Sequence, residues 1–128
     1  MSRKSKGINA ERELIHKFWS YNWAAIRVAG SGSNKYPSPD ILTGNNIRKL
    51  AIECKVSKEP IKYLTDKEIK ELLIFAKTFG AESWIAIKFD KIGWYFLTIE
   101  DLKKTYNSYM VNLEIAKNKG LTIEELIQ

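Results

Sequence analysis

Residues 39–55, PDILTGNNIRKLAIECK, decide both the fold and the place where charge collects. Ile41 and Leu42, then Leu50, Ile52 and Cys54, read as two strands. Gly44, Asn45 and Asn46 lie between them and supply residues that accept the positive φ angles of a tight hairpin. Successive side chains on a strand face opposite ways, so Leu50, Ile52, Cys54 and Val56 point into the core while Glu53 and Lys55 share the other face. Pairing about the turn matches residues whose numbers sum to about 91 to 93, which sets Asp40 beside Glu53. Two carboxylates on one face repel unless a hard divalent cation with oxygen ligands lies between them. Lys55 adds a third charge, able to hold a water or to oppose developing negative charge. The set suits metal-assisted phosphodiester hydrolysis, with Mg²⁺ polarising the phosphate and Lys55 orienting the attacking water. On spacing alone it also fits charged residues alternating along a half-exposed strand.

Working outward, INAERELIHKFWSYNW places Ile8, Leu14, Ile15, Phe18 and Trp19 on one helical stripe, which predicts a helix over 9–21 with Asn9 as N-cap. AAIRVAG alternates as a strand, and residues 30–39 form a loop of Gly, Ser and Pro. LTDKEIKELLIFAKTFG carries Thr65 as an N-cap, Glu68 three residues on to complete a capping box, and Gly80 as a C-cap. ESWIAIKF and GWYFLTIE read as strands around an Asp90 to Gly93 turn, and LTIEELIQ as a short closing helix. The order is helix, three strands, helix, two strands, a domain of α/β or α+β class.

A chain of 128 residues fits one domain with a core of its own. A hydrophobic fraction of 45% and a charged fraction of 28% are those of an ordinary soluble globular protein. Cys54 is the only cysteine, which excludes an intrachain disulfide and a Cys-rich zinc site and favours a reducing compartment. No apolar run approaches the roughly 20 residues that span a bilayer. A cytoplasmic protein with no membrane role is expected. The net charge of +6 favours an anionic partner, nucleic acid first. Residues 1–7, MSRKSKG, lack an apolar period and read as a flexible basic arm, with Arg3, Lys4 and Lys6 free either to lie on phosphates or to remain a solvated end. His16, the one histidine, has no partner at metal-ligand spacing.

The blocks KGINAERELI, AAIRVAGSGS, PDIL, AIECK, LLIFAKTFGAESWIAIKF and GWYF, in that order over residues 6–97, resemble the archaeal Holliday junction resolvases of the Hjc and Hje type, within the PD-(D/E)xK nuclease superfamily. The resemblance implies a restriction-endonuclease-like α/β fold, a central mixed β-sheet flanked by helices. It implies a structure-selective endodeoxyribonuclease that resolves four-way DNA junctions with Mg²⁺ or Mn²⁺ and no small-molecule cofactor. It further implies a homodimer that makes paired, symmetric cuts in branched DNA, at the nucleoid or, if virus-encoded, in a host cytoplasm. Position by position, Glu11 corresponds to the family's helix carboxylate, which helps bind metal or a metal-bound water, Asp40 and Glu53 to its metal ligands, the Cys54 carbonyl to a further ligand and Lys55 to the catalytic lysine. Arg12 and Arg27 correspond to phosphate contacts, and Ser31, or Ser33 given the loose loop alignment, to a loop serine near the scissile phosphate. Lys35 and Lys58 complete the expected DNA-binding set. Without the resemblance, Glu11 reads as an exposed helix residue paired with His16 or Arg12. Asn22 and Trp23 stand where the family has Gly and an aromatic residue, Cys54 replaces an aliphatic residue, and residues 99–128 match weakly. The aromatic residues Phe75, Phe79, Trp84, Trp94, Tyr95 and Phe96 exceed what one small core needs, and part of them is expected at the dimer interface. Rival functions are a nuclease of the same superfamily acting on other branched or duplex DNA, and a DNA-binding module without catalysis.

Overall fold

The structure, a computed structural model, describes residues 3–128. Its chain order is α1 (Arg3–Ser20), β1 (Ala24–Arg27), a 3-10 turn (Ser31–Ser33), β2 (Ile41–Gly44), β3 (Lys49–Ser57), β4 (Ile61–Thr65), α2 (Asp66–Phe79), β5 (Glu82–Phe89) and β6 (Gly93–Leu97). A second 3-10 turn (Ile99–Asp101), β7 (Lys103–Lys104), β8 (Ser108–Asn112), α3 (Leu113–Lys119) and α4 (Ile123–Leu126) complete it.

The first helix departs from expectation at its start. Residues 3–7, assigned to a flexible arm, are the opening turns of α1, and Asn9 lies inside the helix rather than capping it. Lysine is a good helix former, so the lack of an apolar period there marks turns that bury no apolar stripe, not the end of the helix. Met1, Ser2 and the side chain of Arg3 lie outside the described residues. Ala10, Leu14 and Phe18, four apart, make the buried stripe of α1. Asn22, at φ 64°, takes the left-handed conformation that ends the helix, as its short polar side chain allows.

The main sheet runs β1-β2-β3-β5-β6, with β3 antiparallel to β2 and parallel to β5. A parallel neighbour requires a crossover, supplied by β4 and α2. Both faces of this sheet are covered. Leu14 and Phe18 of α1, with Leu126 of α4, pack on Leu50, Ile52, Cys54 and Phe96. Ile69, Leu72 and Ala76 of α2, with Leu64 and Val111 of the smaller sheet, pack on Ala51, Ile85 and Ile87. Two-sided burial explains the nearly continuous apolar run of β5.

The hairpin between β2 and β3 keeps the expected register, Ile41 facing Ile52, whose numbers sum to 93. The turn works differently from expectation. Among the described non-glycine residues, only Asn22 and Lys91 have positive φ, so Asn45 and Asn46 do not use that conformation. Asn45 instead accepts the backbone N–H groups of Ile47 and Arg48 on its Oδ1, at 2.9 and 2.7 Å.

Residues 99–128 are an integral part of the domain. The smaller sheet, β4-β8-β7, pairs Ile61 with Asn112 through Thr65 with Ser108. Leu121 bridges to Phe96, and Arg48 holds both Glu82 oxygens at 2.8 Å while donating to the Leu126 carbonyl at 2.6 Å. No helix among the described residues is long and apolar enough to cross a membrane.

Candidate active site

Asp40 is fixed by the backbone before its side chain does anything. Its N–H donates to the Ile52 carbonyl at 3.0 Å and its C=O accepts from Val28 at 2.8 Å, so the residue is stitched between β1 and β3 at the point where the strands diverge. The register then sets it opposite Glu53. One carboxylate oxygen of Asp40 accepts the Cys54 N–H at 2.8 Å, and the other accepts the Ser31 hydroxyl at 2.5 Å. Ser31 arrives from the 3-10 turn that follows Gly30, whose φ of 68° turns the chain toward the site. Among the described residues, the Ser33 hydroxyl bonds back to the Gly30 carbonyl, at 3.1 Å, and the residue is exposed. Of the two loop serines, Ser31 is therefore the one at Asp40.

The electrostatics follow from this crowding. Burial first, and the Asp40 charge second, push the Glu53 carboxyl up to about 9. The same two causes raise Glu11, on α1, to about 7, against the opposing pull of Arg27. Arg27 sits 3.6 Å from Glu11, and this pair replaces the His16 or Arg12 partner considered for an exposed Glu11. Among the described residues, no ion pair reaches Asp40 or Glu53. Burial pushes the Cys54 thiol up as well, so the sulfur stays neutral and only the main chain of this residue is polar here.

Lys55 does not lean on Glu53. Its ammonium donates to Glu68 Oε2, on the first turn of α2. Burial lowers the lysine, but the Glu68 hydrogen bond and charge outweigh it and the net shift is upward. Glu68 is the functional candidate that sequence patterns missed, because its capping role accounted for it. A cleft of about 170 Å³ lies between Ser31, Asp40, Glu53, Glu68 and Glu71. A second groove, about 280 Å³, runs along Lys4, Glu11, Arg27 and Ser31, so Ser31 borders both.

Residues 2–128 match the model of a family described as archaeal Holliday junction resolvase (Hjc). The chain belongs to this Hjc family. A crossover junction endodeoxyribonuclease Hjc of Archaeoglobus fulgidus is 40% identical over 129 residues, spanning 95% of each chain. A crossover junction endodeoxyribonuclease Hje of Sulfolobus acidocaldarius is 35% identical over 77% of this chain and 73% of its own. The 1.6 Å structure of Archaeoglobus fulgidus Hjc, titled a Holliday junction resolvase from an archaeal hyperthermophile, superposes with a TM-score of 0.89 at 38% identity, over 95% of this chain and 100% of that one. The fold is accordingly restriction-endonuclease-like, as expected, with its mixed sheet between helices.

The remaining basic residues of this Hjc-family chain do not converge on the carboxylates. Arg12 is exposed on α1. Lys35 stands over the ring of its neighbour Tyr36 at 5.6 Å. Lys6 and Lys58 meet in a separate cleft of about 250 Å³, also lined by Lys88 and Glu13. The neighbouring Lys58 lowers the Lys6 ammonium there, as like charge does, while Lys88 holds Glu13 at 2.8 Å.

The raised carboxyl groups have a direct consequence for stability. Glu53 keeps its proton in the folded protein until about pH 9, whereas an unfolded glutamate releases it near ~4.3. A raised folded value means stability that is present in full below the unfolded value and is lost as pH rises through the folded one. Glu13, Glu68 and Glu82 are shifted the other way by cationic partners and act only on the acid side of the ordinary carboxylate range. The melting midpoint measured in EDTA should therefore fall between about pH 5 and 9. A midpoint that is flat across that window contradicts the assignment of Glu53 as the buried, crowded carboxyl.

Proposed function

We propose that this protein is a Mg²⁺-dependent endodeoxyribonuclease that resolves four-way DNA junctions as a homodimer, by paired symmetric cuts. The observation that carries the reading is the forced proximity of Asp40 and Glu53, with Lys55 on the same strand, in a chain of the Hjc family.

The donor set fits a hard cation. It offers two carboxylates and the Cys54 carbonyl, all oxygen, and Mg²⁺ binds through a few such ligands and fills the rest of its shell with water. Among the described residues, no three His, Cys, Asp or Glu side chains converge closely enough to hold a metal, and Glu11, which lines the adjoining groove with Ser31, would act on the cation directly or through a bound water. When bound, Mg²⁺ supplies Lewis-acid polarisation of the phosphate and a more acidic water. Asp40 and Glu53 hold that charge, and Ser31 and the Cys54 N–H keep Asp40 in one rotamer. Lys55 presents its remaining donors to a water or phosphate oxygen at the cleft. Arg27, 3.6 Å from Glu11, offers a fork to the phosphate backbone at the adjoining groove.

The test compares a labelled four-way junction with a linear duplex of the same arm sequence, in Mg²⁺ and in EDTA. Paired nicks in the junction alone, dependent on Mg²⁺, are expected. Equal cutting of the duplex points to another nuclease substrate, and a junction that is bound but intact in every divalent metal removes the catalytic assignment.

The dimer reading rests on an apolar face. Phe96 is fully buried, Trp94 donates to Glu13 at 3.0 Å and Trp84 to Glu82 at 3.1 Å, so the second hairpin's aromatic residues serve the protomer itself. Phe75 and Phe79 stack at 5.5 Å, with Phe79 46% exposed beside a groove of about 290 Å³ lined by Trp19, Ile26 and Leu42. Ile26 is 60% exposed. A second copy placed on this face aligns two sites about a two-fold axis, matching the near two-fold symmetry of a four-way junction. Sedimentation equilibrium should give twice the chain's 14.8 kDa, and Phe79→Asp should give the monomer. A strict wild-type monomer at micromolar concentration contradicts the dimer.

A further inference from the structure

Glu68 does two things with its two oxygens, and only one of them concerns the helix it begins. Oε1 accepts the Thr65 N–H at 2.9 Å, and Thr65 Oγ1 accepts the Glu68 N–H at 3.0 Å, which together make the capping box of α2. That box needs only a neutral acceptor, and Gln serves there as well as Glu. The second oxygen, Oε2, takes the Lys55 ammonium. Helix capping does not require this contact, and it crosses 13 residues of sequence to reach β3.

The neighbours of Lys55 make the contact consequential. Glu53 lies two residues earlier on the same face of β3, with Asp40 opposite it. An ammonium released from Glu68 has the Asp40 carboxylate, beside Glu53, as its alternative anion, and a lysine seated there would neutralise the charge that a divalent ion has to meet. Glu68 lines the same cleft as Asp40 and Glu53, and its side chain and that of Lys55 are only 28% and 22% exposed, so the pair is screened less than a surface ion pair.

We propose that Glu68 is a positioning residue that tethers Lys55 at the rim of the cleft, keeping the lysine off the Asp40 and Glu53 carboxylates and the cation site open. This rests on the nuclease reading given above, and it explains why one carboxylate is built into both a helix cap and the site.

The two roles separate by mutation. Glu68→Gln keeps the capping acceptor and removes the anion that holds Lys55. Thr65→Ala weakens the cap and leaves Oε2 in place. For Glu68→Gln, single-turnover cleavage of a junction should fall by about tenfold or more and the half-saturating Mg²⁺ concentration should rise several-fold. Its melting midpoint should stay within about 2 °C of wild type, and its junction Kd in EDTA within about twofold. Calorimetric titration with Ca²⁺ alone should show weaker binding, a readout that needs no turnover. For Thr65→Ala the pattern should invert, with the midpoint lower by about 3–5 °C and cleavage within about twofold of wild type. Wild-type cleavage and Ca²⁺ binding in Glu68→Gln overturn the proposal, as does a loss of activity that only tracks a lower midpoint. If wild type leaves junctions intact, the nuclease reading fails, while the Ca²⁺ arm still decides for or against the tether.

Discussion

Asp40→Asn gives a protein that folds and binds a four-way junction but cuts it at least about 1,000-fold more slowly, a loss of about 4 kcal/mol of transition-state stabilisation. The substitution removes a full negative charge from the pair that would hold the cation, while nearly preserving shape. The amide oxygen can still accept the Cys54 N–H, and the amide nitrogen can donate to Ser31, whose hydroxyl reverses its role. The backbone bonds to Ile52 and Val28 are untouched. Asp40 is also the second cause, after burial, that pushes Glu53 and Glu11 upward, so the variant should melt no lower than wild type in EDTA at pH 8. Stability maintained or raised while activity disappears is the pattern of a site whose charge arrangement serves chemistry rather than folding. Cleavage kinetics, electrophoretic binding and thermal melting of one preparation check all three statements. Residual cleavage within about tenfold of wild type would place the metal elsewhere.

The second large effect is on the scaffold. Phe18→Ala should destabilise the protein by about 3–5 kcal/mol, a substantial part of what a domain this size possesses. Phe18 is fully buried, with its ring 6.1 Å from Trp23 and 6.2 Å from Phe96, and joins α1 to the sheet. Its removal leaves a cavity at the seam that positions Glu11 against Arg27. Chemical denaturation should show a lower midpoint with little change in slope. A loss below about 1 kcal/mol means that the seam collapses to fill the space and contributes less to holding α1 than its burial indicates.

The Asp40 to Glu53 juxtaposition was legible because an antiparallel register is arithmetic once the hairpin is located. It held even though the turn uses the Asn45 side chain in place of positive φ. Helix α2 was legible from Thr65, Glu68 and Gly80, and all three cap it as expected. Four things were hidden, each for a physical reason. Pairing of β4 with β8 joins Thr65 to Ser108, a contact that local patterns do not carry. The opening turns of α1 bury little, so apolar periodicity could not detect them. Glu68 was counted once, as a cap, although a carboxylate offers two oxygens and the second belongs to Lys55. The pairing of Glu11 with Arg27 was hidden in the same way, since it joins a helix to a strand across a loop.

Anomalous scattering from crystals soaked in Mn²⁺ decides whether the Asp40 and Glu53 pair is a divalent metal site. One peak bonded at about 2.1 Å to Asp40, Glu53 and the Cys54 carbonyl, and missing in Asp40→Asn, is the predicted result. Manganese found only on surface carboxylates, or bound unchanged in the variant, would contradict it.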